Sequence, residues 1–196
     1  MVKMNSSIEE AVKKAEAKTS GEIVPVILEV SDNYPGATWR FGITCALFFV
    51  ALLYVYYPYL DFLVYLLIEI LLIFIGILLA QVSFLKRLFV SNAEKEEEVY
   101  QKAVEIFYER SLHSTRDRTG ILILVSLLEH RVQILADIGI NSVVPLQTWD
   151  HIAEELIVSI RHKQLQEGMC QAITSCGDIL ATYFPVKADD INELEN

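Results

Sequence analysis

The polar residues best placed for chemistry in this 196-residue chain stand at the ends of apolar runs. Glu22 opens one run, Arg116 and Arg118 precede a second, and Asp137 closes an alternating third. Ligands of α/β sheets usually sit at strand carboxyl ends near a topological switch, so strand ends are where a site is sought. Two arginines could hold a phosphate, and two carboxylates a divalent cation such as Ca2+ or Mg2+, with Asp137 as the candidate metal ligand. The same four residues, Glu22, Arg116, Arg118 and Asp137, read more simply as an ion-pair network that fixes loops beside Gly120 and Gly139. The sequence leaves both readings open, and with them the question of catalysis.

No other motif competes. There is no phosphate-binding glycine loop, no His-Glu-x-x-His zinc helix and no Gly-x-Ser-x-Gly elbow. Cys45, Cys170 and Cys176 lack metal-ligand spacing and read as reduced thiols. His151 and Glu155 stand one helical turn apart, which suits a metal pair or simply a solvated face. No cofactor follows from these patterns.

Periodicity supplies the elements that would position the four candidates. Ser7 and Glu10 form a capping box for a helix carrying Ile8, Ala11, Val12 and Ala15 on one stripe. Residues 22–30 read as a buried strand, and Pro25 inside it calls for a sheet edge or a bulge. Ser91 and Glu94 form a second capping box, for a helix running to about Leu112. The continuous apolar run Ile121–Leu127 and the alternating run Arg131–Ala136 predict two antiparallel strands about a turn at Leu128-Glu129-His130. Trp149, Ile152, Leu156 and Ile160 mark a third helix, and Met169, Ile173, Cys176, Leu180 and Tyr183 a fourth, closed by Pro185. The sum is an α/β/α sandwich with a small mixed sheet. Antiparallel pairing puts Arg118 and Asp137 at one edge of the sheet, and Glu22 joins them if the first two strands are parallel.

Between the first two strands lies a segment of another character. Phe41–Tyr57 carries no charge and Phe62–Leu85 carries one, Glu69. A membrane span needs roughly 17 to 25 mainly apolar residues, so both runs qualify as transmembrane helices, joined at Pro58-Tyr59-Leu60-Asp61. Two apolar runs so far along the chain do not fit a signal peptide. The expected organisation is one discontinuous α/β domain (residues 1–40 and 86–186), a two-helix transmembrane hairpin (41–85) and an acidic tail (187–196). Arg40, Lys86, Arg87 and Lys95 flank the hairpin and its turn has no basic residue, which predicts an inner-membrane, multi-pass protein with both termini cytoplasmic. Trp39, Tyr54, Tyr56, Tyr57 and Tyr59 suit interfacial aromatic belts.

Glu69 is an ionisable group inside a span, a feature that marks function by default. Folding about Pro58-Tyr59 sets it opposite about Phe48, with only Thr44 and Cys45 polar nearby. Either the carboxyl is protonated or it meets another subunit. Gly76 and Ala80 offer a small-residue face for close helix contact. Lipid bilayer, with self-association or a membrane-protein partner, is the expected company. A net charge of −10 disfavours nucleic acid, whose phosphates require clustered Lys and Arg.

The run Ala15-Glu16-Ala17-Lys18-Thr19-Ser20-Gly21-Glu22-Ile23-Val24-Pro25-Val26, then Ser31-Asp32-Asn33-Tyr34, resembles the TPM-domain family. So do Thr115-Arg116-Asp117-Arg118-Thr119-Gly120 with the apolar run that follows, the stretch Arg131–Ile140, Trp149, and the closing Tyr183-Phe184-Pro185 with Asn192-Glu193-Leu194. The likeness covers almost the whole chain and looks closest to a bacterial membrane-anchored branch with a two-span insertion. It implies an α/β/α sandwich. It also implies one of two roles, since a plant thylakoid-lumen relative is associated with acid phosphatase activity and photosystem repair, and an animal relative is a receptor accessory subunit. The first role would make this a metal-assisted acid phosphatase, and the second an interaction or accessory module for a membrane complex. The secreted branch opens with an acidic residue ahead of a Leu-rich helix, whereas this chain opens Met-Val-Lys-Met-Asn, a departure that bears on any carried-over phosphate chemistry.

Overall fold

A computed structural model describes residues 5–82 and 89–186. The expected acidic tail, the start Met-Val-Lys-Met, and Lys86 and Arg87 lie outside the described residues. Two compact units emerge, one of Met1–Ser31 with Glu96–Asn196 and one of Asp32–Lys95.

The first unit is built on three strands, β1 (Glu22–Leu28), β2 (Gly120–Ser126) and β3 (Arg131–Ala136), in the order β1-β2-β3. β1 is parallel to β2 and β3 antiparallel to it, with Glu22 opposite Gly120 and Ile121 opposite Ala136. All seven residues of β2 are buried, which requires apolar cover on both faces. One face carries Ile23, Ile27, Ile121, Ile123, Val132 and Ile134 against helices α1 (Ser6–Glu16), α6 (Gln147–Arg161) and α7 (Leu165–Tyr183). The other carries Val24, Val26, Leu28, Leu122 and Leu124 against α4 (Asn92–Glu109). Each such side chain, taken wholly from water, contributes about 1.5–3 kcal/mol. The architecture is the expected α/β/α sandwich with a small mixed sheet.

Pro25 lies on an edge strand, as its missing N–H requires. The amide of Glu22 donates to Thr119 O, so alternation along a parallel strand turns the nitrogen of Pro25 away from β2. Ile23, which faces the same way, gives its outward N–H to Glu16 Oε1 at 3.2 Å.

The two capping boxes fare differently. Ser91 Oγ accepts from Glu94 N at 3.1 Å and Glu94 Oε2 from Ser91 N at 3.4 Å, the reciprocal pair expected. The Ser7 box does not form, because α1 starts two residues earlier, at Ser6 with Asn5 as N-cap, and that cap makes no side-chain bond. The α4 helix also stops at Glu109, and Leu112 belongs to a separate 3-10 turn, Leu112–Ser114.

The second unit holds α2 (Pro35–Tyr56) and α3 (Phe62–Leu79), both long and apolar enough to cross a membrane. Only 17% and 6% of their apolar windows are buried. Helix α2 begins six residues before the charge-free run, and its Arg40 binds Glu94 at 2.7 Å. Asp61 caps α3 by accepting from Leu63 N at 2.8 Å. The helices come into backbone contact at two glycines, where a Cβ on Gly76 would lie 2.7 Å from Gly42 Cα. The close contact expected of Gly76 is therefore made within the hairpin.

Candidate functional site

The sequence candidates gather at one end of the sheet, and the chain dictates how. Antiparallel pairing of β2 with β3 carries Asp137 back beside Gly120, whose carbonyl accepts from Asp137 N at 2.9 Å. Arg118, two residues before β2, then lies within reach. Its Nε donates to Asp137 Oδ2 at 2.7 Å and its Nη2 to Oδ1 at 3.1 Å, a bidentate fork. Asp137 Oδ1 also accepts from Ile138 N at 2.7 Å, capping the four-residue helix α5 (Ile138–Asn141). The carboxylate is 6% exposed and both its oxygens are engaged. Hydrogen bonding to Asp137 pushes the Arg118 pKa further up, so that guanidinium is cationic at every working pH.

The surrounding backbone is tightly fitted. Arg118 adopts a left-handed conformation with φ of 58°. A Cβ on Gly139 would come within 2.5 Å of the carbonyl oxygens of Asp117 and Arg118, and one on Gly120 would strike the carbonyl of Leu112. The fork thus spans a place where three backbone segments meet with glycine at each contact.

Arg116 is exposed, with its Nε 4.0 Å from Asp117 Oδ2. Glu22 is buried and in one row with Gly120 and Asp137. Two strand spacings set Glu22 and Asp137 about 10 Å apart at Cα, with Leu112 seated over Gly120 between them. Among the described residues, no three His, Cys, Asp or Glu side chains converge as a metal cage. His151 and Glu155 form a 3.6 Å pair, both exposed.

Because β1 and β2 run parallel, this end holds their amino termini and only the carboxyl end of β3. The carboxyl ends of β1 and β2 lie at the opposite edge, and there stands a residue read from sequence as part of a turn. Glu129 is 4% exposed. It accepts from Ser31 N at 3.1 Å, from Ser31 Oγ at 2.7 Å and from the fully buried Ser126 Oγ. Leu127 N and Leu128 N donate to Leu28 O and Glu29 O beside it, and His130 turns the chain with φ of 52°. The signal available in sequence was the placement of Ser126, Glu129 and Ser31 at the two strand ends where α/β sheets hold ligands.

The TPM domain family model matches residues 84–179. The NMR structure of BA42 protein from the psychrophilic bacterium Bizionia argentinensis sp. nov. is similar in fold, with a TM-score of 0.58 and 22% identity over 96% of this chain and 86% of that one. No curated protein matches the sequence. The matched segment, just under half of the chain, carries β2, β3, the Arg118–Asp137 fork and Glu129, and it supports a TPM-domain family.

Proposed function

We propose that the protein is a membrane-anchored TPM-domain protein of the bacterial two-span type, acting as an interaction or accessory module for a membrane complex. In this reading residues 41–85 cross the inner membrane twice, residues 1–40 and 86–186 form one cytoplasmic α/β domain, and both termini are cytoplasmic. The observation that carries it is the exposure of α2 and α3, since the core helix of a soluble protein would be mostly buried and these are 17% and 6% buried. A scaffold role is favoured over catalysis because the buried carboxylates Asp137 and Glu129 already have donors that hold them in place.

Alkaline carbonate extraction of membranes tests the anchor. The protein stays in the pellet if it spans, and release into the supernatant refutes the reading. A reporter fused after Asn196 should signal from the cytoplasm, and a signal from the far side overturns the orientation. The family also supports a second reading, metal-assisted phosphatase activity. Purified full-length protein should give no Ca2+- or Mg2+-stimulated hydrolysis of a generic phosphomonoester. Turnover that Asp137→Asn abolishes would install the phosphatase reading instead, and turnover that survives it would remove the Arg118–Asp137 cluster from any catalytic role.

A further inference from the structure

The hairpin closes at one end and opens at the other. Gly42 and Gly76 bring α2 and α3 into backbone contact, while nearer the turn Tyr54 and Tyr65 face each other with ring centroids 6.0 Å apart. Between these points is an open cleft of about 830 Å³, lined by Leu47, Val50, Ala51, Tyr54, Leu66 and, as its one ionisable carboxyl, Glu69. Glu69 is half-buried, and among the described residues it makes no hydrogen bond or ion pair. From Phe41 to Leu85 there is no Lys, Arg or His to answer it. Arg40, the last cation before the charge-free run, is already committed to Glu94 at 2.7 Å.

Depth decides what kind of group completes the cleft. Glu69 is the eighth residue of α3, which sets it about 11 Å along the helix from Phe62 at 1.5 Å per residue. A span about 27 Å long therefore has its carboxyl near the middle, out of reach of headgroup amines for so short a side chain. A second copy of the chain offers only another acid at that depth. The complement is a cation carried on a helix.

Resting on the membrane reading above, we infer that the α2–α3 cleft is a docking groove for a transmembrane helix of another protein bearing Arg or Lys near mid-span, which pairs with Glu69. The glycine contact pre-forms the groove, so the incoming helix pays no cost of opening it. The tyrosines at the mouth supply flat, rigid contact surface beside the ion pair.

The test uses full-length protein in phosphatidylcholine proteoliposomes, with a donor label, and acceptor-labelled leucine-alanine transmembrane peptides. One peptide carries a single arginine at its midpoint and its control carries leucine. The arginine peptide should associate about tenfold more tightly, the scale of one interhelical polar contact in a membrane. Glu69→Gln should erase that preference. Glu69→Leu with Ile70→Glu, which moves the carboxyl to an exposed position outside the cleft lining, should not restore it. Equal association of the two peptides, a preference that survives Glu69→Gln, or full restoration by the relocated carboxyl overturns the inference. So does Glu69-dependent energy transfer between copies that excludes the peptide. Protein that alkali strips from the same liposomes sinks the anchoring reading and this one together, whereas firmly embedded protein indifferent to the arginine sinks this one alone.

Discussion

The two ends of the three-strand sheet each bury a carboxylate, and they hold it by opposite means. At the amino end of the parallel pair, Asp137 is held by the guanidinium of Arg118, a side chain half in water. At the carboxyl end, Glu129 is held by neutral donors, two of them from Ser31, 98 residues away. The first arrangement neutralises charge with charge and is open to solvent on the arginine side. The second draws on the dipoles of the Ser31 amide and hydroxyl and the Ser126 hydroxyl, which the ends of β1 and β2 position. A buried carboxylate needs hydrogen bonds wherever it is, but the source of those bonds determines what disturbs it. The glycines add a further contrast. The amino end is tightened by Gly120 and Gly139, and no glycine shares in the Ser31–Ser126–Glu129 contacts.

The largest effect is expected from breaking the amino end at its backbone. Gly120→Ala drives a Cβ into the Leu112 carbonyl, and Gly139→Ala drives one into the carbonyls of Asp117 and Arg118. Because backbone cannot yield as a flexible side chain does, each should cost about 3 kcal/mol in denaturant unfolding. Cys176 offers an independent readout, since burial pushes its thiol up to about 12 and leaves it protonated in the native state. Thiol labelling at neutral pH then requires opening, and it should accelerate in both variants. The sign also fixes an alkaline limit. The folded pKa is raised, so the contribution of this thiol is complete below its unfolded value of 9.0 and disappears as pH climbs toward about 12.

Next in size is the carboxyl end. Glu129→Ala strands the buried Ser126 hydroxyl and the Ser31 amide, at about 2–3 kcal/mol. Glu129→Gln keeps the shape but replaces one acceptor oxygen by a donor nitrogen, and should cost about 1–2 kcal/mol. A variant of either kind as stable as wild type would show that the serines find water instead, and the contrast between the two ends would collapse.

These two ends also differ in how well they can be read from sequence. Arg118 and Asp137 were legible together because antiparallel register leaves no freedom: once Ile121–Leu127 and Arg131–Ala136 pair about a tight turn, residues just outside them must meet. Pro25 announced its edge position for the same kind of reason, a missing donor. Glu129 was not legible as a buried residue, because a charged residue between Leu128 and His130 looks like any turn, and its burial depends on Ser31, which no local pattern ties to it. The carboxyl-end rule selects the edge that holds Glu129, whereas parallel pairing makes the edge holding Glu22 the amino end of two strands out of three. The Ser7 capping box is displaced by two residues, because Asn5, Ser6 and Ser7 are consecutive residues of N-cap type and the helix takes the first of them.

The smallest effect should come from salt, and it separates the two ends most cleanly. A cycle of Arg118→Ala, Asp137→Ala and the double variant isolates the fork from the loss of each side chain. The fork is short and bidentate, which favours coupling, but half of the Arg118 side chain is in solvent, which admits screening ions. The coupling should therefore be measurable in dilute buffer and shrink steadily as salt is added. The corresponding cycle of Glu129→Ala with Ser126→Ala involves no cation and a contact closed to water, so its coupling should hold across the same salt series. Equal salt dependence at both ends would mean that Glu129 is reached by solvent ions, or that Arg118 is not. Either result would remove the distinction between an end neutralised by charge and an end neutralised by dipoles.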